Sequence, residues 1–184
     1  MEFIPTKTTA TLIRKTALSD TSLIVHWCSA EAGIVKTVAK GARRAKSPFA
    51  GKLDLFYHCE IEIHRAKPGN ELHILKDVAV LQNRLGIRGS YGQTLGASYF
   101  VKLVELVAEH ETELPEIADL LNRGLDFLSE DGQQPDRRAV RHFEKQLAGF
   151  LGISEPGVEA AASIESTFGR LPKQRLELAT RWES

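Results

Sequence analysis

Leu53-Asp54-Leu55-Phe56-Tyr57-His58-Cys59-Glu60-Ile61-Glu62-Ile63 is the stretch that decides the fold. Leu53, Leu55, Tyr57, Cys59, Ile61 and Ile63 are apolar or aromatic at alternate positions, with Asp54, Glu60 and Glu62 between them. Successive side chains of a strand point to opposite faces, so this period predicts a half-buried β-strand. Upstream, Thr8–Lys15 is rich in Thr and β-branched residues and runs into a Ser19-Asp20 turn. Thr21–Ser29 places Leu23, Val25 and Trp27 on one face, and Glu31-Ala32-Gly33 joins it tightly to Ile34–Lys40. Downstream, Lys67-Pro68-Gly69-Asn70 turns the chain into Leu72–Leu81. Five short strands, with an irregular connection after the third, predict a small closed barrel over residues 1–82.

Beyond residue 82 the period lengthens to that of a helix. Leu95, Tyr99, Leu103, Leu106 and Val107 recur at helical spacing. Pro115 opens a second helix carrying Ile117, Leu120, Leu121 and Leu128. Asp136 is the N-cap of a third, whose apolar face is Val140, Phe143, Leu147, Phe150 and Leu151, and Gly152 stops it. Ser154-Glu155-Pro156 reads as a further helix start, and Leu176, Ala179 and Trp182 mark a weak last helix. The fold class is α+β, a β-barrel followed by an α-helical domain over residues 83–184.

A chain of 184 residues with 42% hydrophobic and 26% charged residues is that of a soluble globular protein. No run approaches the roughly 18 apolar residues of a membrane helix. Met1–Lys7 lacks the basic and apolar regions of a secretory signal. Cys28 and Cys59 are the only cysteines, and they suit buried thiols in a reducing cytoplasm. The net charge of zero conceals an asymmetry. Residues 1–85 carry thirteen Lys and Arg against eight Asp and Glu, a net +5, and residues 86–184 carry −5. Lys36, Lys40, Arg43, Arg44, Lys46 and Lys52 fall close together, with no acid between Val35 and Leu53. Beside Gly41, Pro48 and Gly51, that run reads as a mobile loop offered to phosphates, or as an ordinary solvated face.

Enzymatic constellations are missing. Gly41-Ala42-Arg43-Arg44-Ala45-Lys46-Ser47 looks like a phosphate-binding loop, but Ala45 stands where glycine is required before the lysine. His58 and His64 share a strand face that Cys59 does not, and no second ligand pair completes a zinc site. His110 lacks a helical partner histidine, and no G-x-S-x-G occurs. Two features point to binding instead. Phe49 and Phe56 beside the basic loop are candidates for base stacking, with plugging of the barrel as the alternative. Arg137, Arg138, Arg141 and Lys145 form a basic stripe beside Val140, Phe143 and Leu147, which suits an acidic peptide with apolar anchors or else a solvated helix face.

Gly33–Leu53, with its core Ala39-Lys40-Gly41-Ala42-Arg43-Arg44, then Lys46-Ser47 and Gly51-Lys52-Leu53, resembles the bacterial DNA repair protein family RecO. Asp20–Val25, Tyr99–Leu106 and Phe143–Gly152 are similar to further segments of that family in the same order. The resemblance implies an N-terminal OB-fold and a C-terminal helical domain acting as a non-enzymatic recombination mediator. Such a mediator binds single- and double-stranded DNA, anneals strands, and works with RecR and the single-stranded-DNA-binding protein SSB on the bacterial nucleoid. It implies no cofactor, no small-molecule substrate and no membrane. It puts Lys40, Arg43, Arg44 and Lys46 at the DNA, and makes the Arg137/Arg141/Lys145 stripe a candidate dock for the acidic tail of SSB. The four cysteines of many members are missing after Ile153, so the zinc module is expected to be absent and the helical domain shortened. The alternatives are a protein-interaction adaptor of the same fold with little DNA affinity, and an RNA-binding OB module.

Overall fold

Alternating burial builds the first half of the chain. The structure, a computed structural model, describes residues 6–67 and 69–182; Met1–Pro5 and Pro68, parts of the terminal stretch and turn read above, lie outside the described residues. β1 (Lys7–Ala17), β2 (Leu23–Ser29), β3 (Gly33–Ala39), β4 (His58–His64) and β5 (Leu72–Gln82) close into a barrel in the order β1-β2-β3-β5-β4. The inward positions Leu12, Val25, Trp27, Val35, Ile61, Ile63, Leu75 and Val78 fill it. Trp27 is fully buried, and its indole N–H donates to the Thr37 hydroxyl at 2.9 Å, so its one polar atom is satisfied. Five strands closed in this order are an OB-fold.

The strand expected over Leu53–Ile63 starts only at His58. Phe56 has φ 72, a left-handed conformation that an extended strand cannot accommodate. Leu53, Leu55 and Tyr57 still pack against the barrel core, so their alternation reports burial of a turn rather than a strand.

Every pairing of these strands is antiparallel except β3 with β5, which is parallel and joins only Lys36–Val38 to Leu72–Ile74. The short seam is supplemented from farther along the chain. Ile34 of β3 bridges to His110, and the Glu111 N–H donates to the Ile34 carbonyl at 3.3 Å. The Leu114 N–H donates to the Ala30 carbonyl at 2.9 Å. Buried His73 accepts the Ala66 N–H at Nδ1 (3.0 Å), so Nε2 carries the proton and donates to the Glu111 carboxylate at 3.0 Å. Gly33 (φ 63) lies so near this segment that a Cβ would stand 2.1 Å from the Thr112 carbonyl oxygen.

The described chain accordingly divides into two compact units: residues to Asn83 with Ala108–Ala118, and Arg84–Val107 with Asp119 onward. The second unit is helical. A 3₁₀ turn (Leu85–Gly89) precedes α1 (Tyr91–Val107), α2 (Pro115–Ser129, its first turn in the barrel unit), α3 (Arg137–Phe150), α4 (Ala160–Phe168) and α5 (Gln174–Trp182). Asp136 caps α3 by accepting the Ala139 N–H at 2.7 Å, and Gly152 (φ 69) follows its end. The start expected at Ser154-Glu155-Pro156 lies in a connection, because Gly157 at φ 78 breaks the helical path and α4 begins at Ala160. Phe100 and Phe143 stack in the core at 4.0 Å between centroids. Buried Glu144 on α3 accepts from the Tyr99 hydroxyl (2.7 Å) and Arg175 Nε (2.5 Å), tying α3 to α1 and α5. Among the described residues no helix is long and apolar enough to cross a membrane.

Gly33→Ala is expected to lose about 3 kcal/mol in urea unfolding, from backbone strain plus displacement of Thr112. Gly51→Ala has φ 72 but open space around it, and strain alone should cost about 1 kcal/mol. Equal losses would remove the close approach as the cause. Glu144→Ala should cost about 3 kcal/mol or more, since it strands a partly buried guanidinium and a buried phenol.

Candidate nucleic-acid interface

The connection from β3 to β4 carries most of the basic residues singled out from the sequence. It is a succession of closed turns rather than the mobile loop expected. The N–H of Arg44 donates to Gly41, that of Ser47 to Arg44, that of Ala50 to Ser47 and that of Lys52 to Phe49, each at 3.0–3.1 Å. Gly41 and Gly51 take φ 72, which lets the backbone reverse without strain. The connection is also stitched to the turn between β1 and β2. The Arg43 N–H donates to the Thr21 carbonyl at 3.0 Å, its guanidinium Nη1 to the Ser19 carbonyl at 2.8 Å, and the Gly41 N–H to the Ser22 hydroxyl at 3.4 Å. Both turns thus form one rim at one end of the barrel.

The six basic residues divide into two groups. Lys36 lies within β3 and pairs with Glu71 at 3.1 Å, and Lys52 lies 3.8 Å from Asp77. Lys40, Arg43, Arg44 and Lys46 are exposed and have no acidic partner among the described residues. Nearby Lys15 is neutralised by Asp54 at 2.8 Å. The rim therefore concentrates four uncompensated positive charges on backbone fixed by hydrogen bonds, an arrangement that attracts a polyanion.

Phe49 and Phe56 correct the stacking expectation. Phe49 is 6% exposed within the barrel core and Phe56 is 5% exposed, so neither ring offers a face to a base. The apolar environment of a closed barrel end claims both side chains, which serve as plugs.

In the helical unit, Arg137, Arg138, Arg141 and Lys145 are all exposed along α3. Val140, Phe143 and Leu147, expected to floor an adjacent groove, are instead consumed by the helical core, at 0–2% exposure. The groove actually present, about 840 Å³, is walled by Pro135, Leu178 and Trp182 and rimmed by the basic stripe with Arg181. Asp136, the acid that lines it, is occupied as the helix cap. The Trp182 ring has the Arg175 guanidinium 4.9 Å and that of Arg137 5.9 Å from its centre, and its indole donates to the Pro135 carbonyl at 2.9 Å. Arg141 pairs with Glu159. Cations with apolar walls can hold an acidic peptide.

Elsewhere, His58 Nδ1 is 3.1 Å from the Thr11 hydroxyl, and Cys59 is buried. No three His, Cys, Asp or Glu side chains cluster to hold a metal ion among the described residues. Burial pushes the Cys28 thiol up to about 12, away from nucleophilic use.

Residues 1–84 match the family model described as "Recombination protein O N terminal". The DNA repair protein RecO of Rhodopirellula baltica is 29% identical over 145 residues, which cover 79% of this chain and 53% of that protein. The DNA repair protein RecO of Anaeromyxobacter sp. (strain K) is 30% identical over 167 residues, 90% of this chain and 64% of that protein. The chain spans between half and two thirds of the length of these relatives. A barrel matched over its whole length, and a likeness continuing through most of the helices, place the chain in the RecO family.

Proposed function

We propose that this chain is a non-enzymatic, DNA-binding recombination mediator that binds and anneals single-stranded DNA, also contacts duplex, and acts with RecR and SSB in bacterial DNA repair. The observation that carries the reading is the set Lys40, Arg43, Arg44 and Lys46: four exposed cations without acidic partners among the described residues, on a hydrogen-bonded rim of an OB barrel. Cations fixed in this way exchange condensed counterions for phosphates, and the released ions drive association. Lys36 and Lys52 join once a phosphate displaces Glu71 or Asp77 from these surface pairs. Neutralising one strand's backbone lowers its repulsion toward a complementary strand, which is the physical basis of annealing. Buried Phe49 and Phe56 remove stacking at the rim, so phosphate contacts dominate there and sequence matters little.

The groove beside α3 is the proposed dock for the acidic tail of SSB. Its cations meet the tail's carboxylates, and Leu178, Pro135 and Trp182 receive its apolar end. The faces of Trp182 approached by Arg137 and Arg175 favour a peptide here over stacked bases.

Fluorescence anisotropy of a labelled single-stranded oligonucleotide tests the rim. Arg43→Ala/Arg44→Ala should weaken binding about tenfold or more near 0.1 M salt, and reduce the slope of log K against log salt by about 0.7 for each phosphate no longer neutralised. The loss should be alike for oligonucleotides of different sequence; unchanged affinity would remove the site. For the groove, Arg137→Ala/Arg141→Ala should weaken capture of an acidic, Phe-ended peptide by about tenfold. The same pair should leave oligonucleotide affinity within about twofold.

A further inference from the structure

Two hollows share the cations of α3. Arg137, Arg141 and Lys145 recur every four residues and so stand on one face of the helix. Arg141 and Lys145 line the groove walled by Trp182, and they also line a second hollow of about 350 Å³. The far side of that hollow is Ser154, Glu155, Val158 and Glu159, all from the α3–α4 connection.

This connection carries the chemistry of an acidic peptide with an apolar anchor. Glu155 and Glu159 flank Val158, which is exposed although it is apolar. The Val158 N–H donates to the Glu155 carbonyl at 3.2 Å and Gly157 takes φ 78, so a closed turn leads into Glu159. The Glu159 carboxylate pairs with the Arg141 guanidinium.

The place of Glu159 in α4 shows that the helix does not depend on this carboxylate. Glu159 is the N-cap residue, yet its side chain makes no capping hydrogen bond. The Ala162 and Ser163 N–H groups donate to its backbone carbonyl, which any residue supplies. Glutamate is also not among the residues favoured at an N-cap, where a shorter side chain reaches the backbone of the first turn. The carboxylate thus serves Arg141 rather than α4, and it can change partner without unravelling the helix.

We propose that the α3–α4 connection is an internal competitor for the groove: Glu159 occupies Arg141 and holds the affinity for acidic peptides below what the basic stripe alone confers. The inference rests on the reading of the groove as an acidic-peptide dock and adds a contact that regulates it.

An acidic peptide seated against Trp182 must take Arg141 from Glu159. The competitor is tethered, so it faces Arg141 in every molecule whatever the protein concentration. Both side chains are about half exposed, which makes the pair weak and quick to open. The apparent affinity is the intrinsic affinity multiplied by the fraction of molecules whose Arg141 is open. A surface pair closed in roughly half to four fifths of molecules therefore lowers affinity about twofold to fivefold.

The test is anisotropy of a labelled peptide of four aspartates ending in phenylalanine, titrated with the full chain. Wild type, Glu159→Gln, Arg141→Ala and the double variant are compared, with melting curves to show that each is folded. Glu165→Gln, which removes the same charge from an exposed position on α4, is the control. Glu159→Gln is expected to tighten binding about twofold to fivefold near 0.05 M salt, with the gain shrinking toward none near 0.5 M. In the Arg141→Ala background the same substitution should change affinity by less than about 1.5-fold, as should Glu165→Gln in the wild type. If Arg141→Ala weakens binding but Glu159→Gln equals wild type, the competitor is overturned and the dock stands. A gain from Glu159→Gln that persists without Arg141, or that Glu165→Gln reproduces, also overturns it, because the effect is then general charge. No binding of the peptide by folded wild type or Glu159→Gln at low salt overturns the dock and the competitor together.

Discussion

Closure of the barrel between β3 and β5 is the constraint on which the rest depends. These strands run parallel, and parallel neighbours cannot be joined by a tight hairpin. The chain must leave the sheet after Ala39, cross the barrel end, form β4, and only then return as β5 beside β3. The residues that make this crossing, 40–57, are held to the surface by topology and bear the uncompensated cations. Short parallel pairing also leaves the lower part of β3 with an open edge. His110 and Glu111 fill it, and the buried His73 holds Glu111 in place.

The same closure accounts for the distribution of charge. Where strands pair fully, basic side chains find acids across the sheet or at its turns, as Lys7 does with Glu60, Lys36 with Glu71 and Lys15 with Asp54. From Lys40 to Lys46 the backbone turns every three residues, bonded to itself and to the β1–β2 turn, and its cations meet no acid among the described residues, whereas Lys52 farther on lies 3.8 Å from Asp77 of β5. Arg43 spends one donor on the Ser19 carbonyl, which fixes its position without neutralising it. A fixed, unneutralised guanidinium is preorganised for a phosphate oxygen, since little side-chain freedom remains to be lost on binding.

Much of this was legible in the sequence. Period-2 alternation over Thr21–Ser29 and Cys59–Ile63 located strands, and Asp136 and Gly152 located both ends of α3. The unbroken basic run marked the crossing connection. Other features depend on long-range contacts that no local pattern encodes. The burial of Phe49 and Phe56 follows from where the connection folds back, and the left-handed Phe56 follows from its backbone bond to Leu12. Val140, Phe143 and Leu147 read as a groove floor because periodicity shows which face is apolar, not what covers it. The groove wall from Leu178 and Trp182 comes from a helix with little sequence signal of its own.

Hydrogen–deuterium exchange of the full chain, with and without a saturating single-stranded oligonucleotide, tests most directly where nucleic acid sits. The account predicts slowed exchange at amides of the β1–β2 turn, residues 18–22, and of the β3–β4 connection, residues 40–52. Protection confined to α3 and α5, with those two turns exchanging as in the free chain, would contradict it and move the nucleic-acid site to the helical unit.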